Sequence, residues 1–232
     1  LGLVIFLWRP FPIMRITHSP LTGQIDISPF LNAGCKIEKY YGENHLNCSS
    51  AGLKDRFKCG RILLAPQYLA GLKVPIVKCV LGTYEENYTQ VMEEIEKGYI
   101  YSEGCRAPIF IRYIVFDGKD FVLLRTKEEF KNYFSPIDNP EEALSYVAAI
   151  TGLYPKYGFS KAGGRYFVTI IEDSYAKEVN GNYKVHLYGY ELCGCGTHPY
   201  FTTDFLVSRD GNIEELQTQK IWEDPFLMAC VD

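Results

Sequence analysis

The second half of the chain shows the most regular alternation of hydrophobic and polar positions. An apolar run over residues 108–116 is followed by Asp117-Gly118 and then by a second β-patterned run over residues 119–125. An Asp-Gly dipeptide between two such runs is typical of a tight hairpin turn, because the turn requires residues that tolerate positive φ. These residues therefore predict a β-hairpin.

Two helices are predicted after this hairpin. Thr126 and Glu129 form a capping-box pattern, which predicts a helix that continues to about residue 134. Asn139 followed by Pro140 predicts the start of a second helix, and Gly152 predicts its end. Four apolar positions of the second helix share one face and predict burial on that side: Leu144, Val147, Ala148 and Ile150.

The rest of the chain is patterned as strands. Four β segments are predicted over residues 165–172, 183–192, 200–208 and 212–222, and Asp210-Gly211 makes the last connection a tight hairpin. Consecutive strands joined by short turns predict an antiparallel meander. With two or three short helices packed on it, this sheet places the chain in the α+β class.

Residues 1–80 are patterned differently. This part is rich in Pro, Gly, Asn and Cys, and its apolar runs, such as residues 61–65 and 74–80, are short. It is predicted to be a loop-rich segment stapled by its cysteines. A capping box over residues 83–86 predicts a short helix that includes residues 91–96. We therefore divide the chain into a loop-rich segment, residues 1–80, and an α+β domain, residues 81–232.

The amino-terminal segment, residues 1–8, is a continuous apolar run from Leu1 to Trp8. Eight residues are too few to span a bilayer, which takes about 20. Three interpretations stay open: the tail of a membrane anchor lying upstream of Leu1, a first strand of the core, and a strand that docks onto a neighbouring subunit. The first and third make this segment the expected place for membrane anchoring, self-association or contact with a protein partner.

Composition and charge narrow the class of protein. The chain has 232 residues, of which 47% are hydrophobic and 15% aromatic, so we expect a folded globular protein. Its net charge is −4, and no run of basic residues is present that would neutralise several phosphates. We therefore expect no nucleic-acid partner. The aromatic residues are mostly tyrosine, 18 Tyr against 2 Trp, which suits half-buried strands.

The number and distribution of the cysteines indicate whether the protein resides in an oxidising or a reducing compartment. Five lie in the first 105 residues and three in the last 40, so complete oxidation requires at least one disulfide between the two groups. An even set of cysteines favours an oxidising compartment, and we predict a secreted, periplasmic or cell-surface protein. The candidate disulfide residues are Cys35, Cys48, Cys59, Cys79, Cys105, Cys193, Cys195 and Cys230.

The densest group of reactive residue types is Cys193-Gly-Cys195-Gly-Thr-His198. Cys193, Cys195, His198 and the nearby His186 are candidate zinc ligands, because zinc accepts thiolates and imidazoles in a tetrahedron. The same cysteines are candidate nucleophiles, with His198 or His186 as base and Asp204 as the orienting carboxylate. In the third interpretation both cysteines form disulfides, one to Cys230 and the other to the first half of the chain.

Two classes of function follow. The favoured one is an exported, disulfide-stabilised, non-enzymatic protein that acts in binding, adhesion or assembly, for example as a subunit of a filament or a membrane complex, with no cofactor. It rests on the cysteine usage, the tyrosine-rich strands and the lack of a recognisable catalytic motif. The alternative is a metal- or thiol-dependent enzyme centred on Cys193, Cys195 and His198, with zinc as the expected metal.

Overall fold

The computed structural model of the protein describes residues 14–40, 43–82 and 88–231. The helices of these residues are α1 (Ser28–Asn32), α2 (Leu53–Phe57), α3 (Tyr88–Glu96), α4 (Lys127–Phe134) and α5 (Pro140–Thr151), and a 3₁₀ helix spans Gln67–Leu72. The strands before α5 are β1 (Met14–Ile16), β2 (Lys36–Tyr40), β3 (Glu43–Asn47), β4 (Arg61–Leu64), β5 (Ile76–Gly82), β6 (Tyr101–Glu103), β7 (Ile109–Phe116) and β8 (Phe121–Leu124). The strands after α5 are β9 (Arg165–Tyr166), β10 (Ile170–Glu172), β11 (Tyr175–Val179), β12 (Asn182–Tyr190), β13 (Gly194–Gly196), β14 (Tyr200–Val207), β15 (Ile213–Glu223) and β16 (Ala229–Val231).

Two antiparallel sheets form the framework. Strands β2 to β8 make a seven-stranded sheet in the order β2-β3-β4-β5-β7-β6, with β8 also paired to β7. The second sheet has five strands in the order β11-β12-β14-β15-β9. Two short ribbons complete the structure, parallel β1-β10 and antiparallel β13-β16. The α+β class with antiparallel sheets and short helices is therefore confirmed.

Helix α5 is the centre of the core. Asn139 caps its first turn by accepting a hydrogen bond from the Glu142 amide, and Gly152 ends it with a positive φ of 76°. All eight residues from Ala143 to Ile150 are buried, and the seven other than Ser145 belong to one hydrophobic cluster with side chains from both sheets. The sequence predicted one buried face, and this expectation is corrected: a sheet on either side buries the whole circumference of the helix.

The sheets divide the hydrophobic residues among three cores. Helix α5 and the inner faces of both sheets form the largest core. The other face of the seven-stranded sheet is covered by α1, α2 and four buried cysteines. On the outer face of the five-stranded sheet a third, aromatic core contains Phe159, Tyr166, Ile171, Tyr188, Ile221 and Trp222.

The predicted loop-rich character of residues 1–80 is not what the structure shows, because this part supplies strands β2, β3, β4 and most of β5. The predicted boundary after residue 80 falls inside β5, which pairs with β7 over seven residues. Strand β5 is buried on both faces and so lacks the alternation that marks a half-exposed strand, which is why its short apolar run does not indicate a strand in the sequence. The predicted segment 1–8 and the capping box at residues 83–86 lie outside the described residues.

The second half of the chain agrees more closely with its sequence pattern. The hairpin β7-β8, helix α4 with its Thr126 cap and the paired strands β12, β14 and β15 are all present. Two details are corrected. The segment predicted as one strand over residues 165–172 is divided into β9 and β10, and β11 was not predicted. No helix in the described part of the chain is long and apolar enough to cross a membrane.

The eight cysteines form four disulfides. Cys35–Cys48 and Cys59–Cys79 lie within the seven-stranded sheet region, and Cys195–Cys230 closes the carboxyl-terminal ribbon. Cys105–Cys193 is the one bond between the two groups of cysteines, and it joins the loop after β6 to the end of β12. Four intramolecular disulfides point to an oxidising, extracytoplasmic environment.

Candidate functional site

The stretch from Cys193 to His198 lies where β12 ends and β14 begins, at one end of the five-stranded sheet. The two sulfurs diverge: Cys193 is bonded to Cys105, and Cys195 is bonded to Cys230. Gly194 between them has a φ of +89°, a region that favours glycine because it has no Cβ. We call residues 191–199 together with residues 224–231 the disulfide knot.

A short ribbon carries the second half of the knot. Strand β16 pairs antiparallel with β13, and Cys195 lies directly opposite Cys230 with a Cα–Cα distance of 4.0 Å. The Cys195–Cys230 disulfide expected from the sequence is present, and residues 229–231 pair with β13 and with no strand of either large sheet.

His198 joins the two halves of the knot from inside. Its side chain is 6% exposed, and its backbone is left-handed with a φ of 45°. The Nδ1 atom is 3.1 Å from the carbonyl oxygen of Glu191, and the Nε2 atom is 3.0 Å from the carbonyl oxygen of Ala229. Each ring nitrogen thus lies within hydrogen-bond distance of a backbone carbonyl oxygen, one on either half of the knot, so His198 acts here as a structural tie.

Glu223 extends this network to the end of β15. Its Oε2 atom accepts hydrogen bonds from the Thr197 hydroxyl at 2.7 Å and the Lys220 ammonium at 2.5 Å. Burial alone raises the pKa of Glu223, but the hydrogen bonds from Lys220 and Thr197 outweigh burial and hold the pKa below its ordinary value. The knot is therefore tied to the sheet by a charged, hydrogen-bonded carboxylate as well as by disulfides.

An aromatic row runs beside the knot across the end of the five-stranded sheet. The ring centroids of Tyr190 and Tyr200 are 4.7 Å apart, and those of Tyr200 and Trp222 are 5.9 Å apart. The Lys161 ammonium lies 5.2 Å from the centroid of Tyr200 and 5.9 Å from that of Trp222. The first pair of rings is tilted and the second is edge-to-face, so these side chains pack closely at this end of the molecule.

Exposed apolar side chains surround the knot. Three consecutive residues of its loop, Phe226, Leu227 and Met228, are 83%, 53% and 76% exposed. Leu192 beside Cys193 is 44% exposed, and Tyr190 is 36% exposed. We call these five side chains the tail patch. Grouped apolar exposure on a braced loop is the kind of surface by which proteins bind partners, whereas single exposed apolar residues need no explanation.

His186 belongs to a different place on the sheet. It lies on β12 opposite Asp204 of β14, and its Nδ1 atom is 2.6 Å from Oδ1 of Asp204. The ammonium group of Lys184 is 2.9 Å from Oδ2 of the same carboxylate, and the ring of Tyr175 stacks on the imidazole at 5.5 Å. The buried Nε2 atom has no hydrogen-bond partner among the described residues. His186 and Asp204 are thus brought together as the sequence suggested, but away from the cysteines.

The chemistry available to these residues follows from their bonding. A disulfide sulfur is neither a thiolate nucleophile nor a thiolate ligand, so the expected thiol and zinc chemistry of Cys193 and Cys195 requires a reduced form. His198 and His186 have different partners and do not form one ligand set. In the part of the chain that the structure describes, no group of three or more His, Cys, Asp or Glu side chains is arranged to hold a metal ion.

The sequence pattern did not predict that the apolar side chains of the tail patch are exposed. The signal of the patch is the run Pro225-Phe226-Leu227-Met228, three apolar residues in a loop that follows a proline. Such a run ordinarily indicates a buried strand. Proline at its start and Cys230 at its end were the signs that the run was a closed loop instead.

Asp204 provides a pH-dependent prediction. Burial alone raises its pKa, but hydrogen bonds from His186 and Lys184 outweigh burial, so the pKa in the folded protein lies below its ordinary value. A carboxyl group of this kind adds stability above its unfolded pKa of about 3.9, and that stability is lost as the pH falls through the folded pKa. We expect Asp204→Asn to lower the free energy of unfolding by about 1–2 kcal/mol near neutral pH.

This difference between wild type and Asp204→Asn should shrink below about pH 4, as measured by urea unfolding across a pH series. Asp138→Asn is the matched control, because Asp138 is 67% exposed and its nearest cation, Arg209, is 4.0 Å away. Equal effects of the two variants at every pH would contradict the prediction.

The disulfide knot therefore combines two disulfides, a buried histidine tie and a set of exposed apolar side chains. Comparison of the chain with protein families, with curated proteins and with solved structures found no match.

Proposed function

We propose that this is an exported, non-enzymatic binding or assembly protein whose partner contacts the tail patch. The observation that carries the proposal is the exposure of five apolar side chains around a loop that two disulfides and His198 hold in place. Keeping such side chains in water costs about 25 cal/mol for each Å² of apolar surface, which a bound partner recovers.

The rigidity of the knot supports this proposal. Binding normally costs free energy to order loops and side chains at the interface. The bond between Cys195 and Cys230 closes the loop that carries Phe226, Leu227 and Met228, and the Nε2 atom of His198 holds Ala229 at its base. The loop is thus ordered before a partner arrives, and the ordering cost is reduced.

Site-specific photo-crosslinking tests the proposal in cells that export the protein. A benzophenone amino acid at position 227 is expected to form adducts, because Leu227 is 53% exposed within the tail patch. The matched control is position 37, since Ile37 is 49% exposed on β2 outside the patch. Adducts are detected by mass spectrometry, which registers both protein and lipid products. Absence of adducts at position 227, or equal labelling at both positions, would count against the proposed function.

A further inference from the structure

We propose that the partner of the tail patch is a lipid bilayer surface, so that this end of the molecule faces a membrane. The inference rests on the proposed function, because it names the partner of the same patch. Three observations carry it: a wider apolar surface beside the patch, the point at which the amino-terminal chain joins that surface, and cationic side chains stacked on its aromatic rings.

The apolar surface continues beyond the tail patch. Phe167 is 37% exposed. Its amide donates a hydrogen bond to the carbonyl oxygen of Ile221, which lies two residues before the end of β15. Ile170 and its pairing partner Met14 are 45% and 47% exposed. We call the tail patch together with Met14, Phe167 and Ile170 the apolar end. Arg165 of β9 pairs with Glu223, so the chain that leads to Phe167 lies beside the start of the loop that carries the tail patch.

The amino-terminal chain joins the structure at this same end. Strand β1 begins at Met14, whose amide donates to the carbonyl oxygen of Thr169 between Phe167 and Ile170. In the sequence, residues 1–8 are all apolar or glycine, and only the five residues 9–13 separate them from Met14. The six residue steps from Met14 back to Trp8 reach at most about 22 Å, which limits how far from the apolar end this apolar segment can begin. A bilayer is a partner that accepts both apolar elements at once, whereas a protein partner would need a separate site for each.

The cations of this end are placed as they are at membrane interfaces. The Arg165 guanidinium and the Lys220 ammonium lie 4.6 Å and 4.5 Å from the ring centroid of Phe167. Lys161 lies over Tyr200 and Trp222 in the same way. Long cationic side chains that lie along apolar surface with their charge toward water, beside Tyr and Trp rings, suit the boundary between headgroups and acyl chains.

The charged side chains near the apolar end indicate whether attachment requires anionic lipid. Glu223 forms an ion pair with Lys220, and Asp224 lies next to it in the chain, so the cations of this end are largely balanced by carboxylates. Attachment should therefore depend mainly on insertion of Leu227 and Met228 and only weakly on anionic lipid or salt.

Vesicle co-sedimentation of the full chain tests the inference. The wild type is expected to bind vesicles of phosphatidylcholine alone, and to bind mixed phosphatidylcholine and phosphatidylserine vesicles with similar strength. The double variant Leu227→Glu with Met228→Glu is expected to lose at least about tenfold in partitioning, because carboxylates are strongly disfavoured in an apolar phase. The double control Leu31→Glu with Ile37→Glu carries the same added charge on exposed apolar positions of α1 and β2, and it should bind like the wild type.

Each other outcome overturns the inference in a recognisable way. Circular dichroism and thermal unfolding establish that both double variants are folded before binding is compared. The membrane would be excluded as the partner if the wild type does not bind vesicles. It would also be excluded if the double variant at Leu227 and Met228 binds them as strongly as the wild type. A protein adduct at position 227 without vesicle binding would leave the proposed binding function intact and reject only the bilayer. A wild-type dimer that the same double variant dissociates would assign the patch to self-association instead.

Discussion

Replacement of Glu94 by alanine is expected to lower the free energy of unfolding by about 3–5 kcal/mol, since it leaves a buried guanidinium without its counter-charge. The partner is Arg112 on β7, whose side chain is fully buried. Its Nη1 atom donates to Oε2 of Glu94 at 3.0 Å, and its Nε atom donates to the carbonyl oxygen of Gly98 at 2.8 Å. The pair fastens α3 to the seven-stranded sheet, so its loss affects the whole domain.

A double-mutant cycle separates the ion pair from the packing around it. Arg112→Met alone should also be destabilising, because Arg112 holds backbone carbonyl groups as well as Glu94. The combination of Glu94→Leu with Arg112→Met should cost less than the sum of the two single variants, since it removes both charges from the interior. Arg56→Ala is the control, because the exposed pair of Arg56 with Asp120 should contribute little. Urea unfolding measures all of these variants, and additive single effects would contradict a coupled pair.

The same pair predicts the response to acid. Burial alone raises the pKa of Glu94, but hydrogen bonds from Lys97 and Arg112 outweigh burial and hold the pKa below its ordinary value. Stability from such a carboxylate is complete above the unfolded pKa of about 4.3 and is lost as the pH falls through the folded pKa. The difference between wild type and Glu94→Ala should therefore decrease as the solution is acidified below about pH 4.

Removal of the disulfide between Cys105 and Cys193 is expected to lower the free energy of unfolding by about 4–5 kcal/mol, measured with the Cys105→Ala and Cys193→Ala double variant. The sequence separation of 88 residues is the largest among the four disulfides, so its loss restores the most freedom to the unfolded chain. It is also the one disulfide that joins the strands before α5 to those after it.

The disulfide between Cys195 and Cys230 is the matched control, because all of its loop lies after the central helix and both of its cysteines are exposed. Its removal should release the β13-β16 ribbon locally and change global unfolding much less, since a peripheral ribbon opens without the core. Before either variant is compared, thiol titration of denatured wild type should find no free thiols without reductant and eight with it. Equal losses of global stability in the two variants would contradict the prediction.

The Glu94–Arg112 pair and the Cys195–Cys230 disulfide have different consequences for the proposed function. The pair of Glu94 and Arg112 lies in the seven-stranded sheet region, so its variants should lower stability without changing the tail patch directly. Loss of the disulfide between Cys195 and Cys230 should instead change the tail patch with little effect on global stability, because this bond closes the loop that bears Leu227 and Met228. Binding that fails in the second variant while global stability is retained would show that a preordered loop, and not only its apolar composition, is needed.

Local chemistry explains what could be predicted from the sequence. Thr126 and Asn139 start helices because their side chains accept hydrogen bonds from amides three residues later, and this needs no distant partner. Asp117-Gly118 turns the chain between β7 and β8 for a similarly local reason. The odd division of the cysteines predicted a bond between the two groups, and Cys105–Cys193 is that bond. The sequence by itself therefore determined the ends of α4 and α5, the β7-β8 and β14-β15 hairpins, the α+β class and the need for a long-range disulfide.

Tertiary structure decided the features that depend on residues far apart in the chain. Strand β5 could not be distinguished from a loop by its pattern, because one of its faces packs into the core around α5 and the other into the core beneath α1 and α2. Likewise, Phe226, Leu227 and Met228 have the composition of a core strand, and their exposure became evident only from their place in the loop that leads to the β13-β16 ribbon. The physical reason is that hydrophobicity determines what a side chain gains by burial, while the fold determines which side chains find something to be buried against.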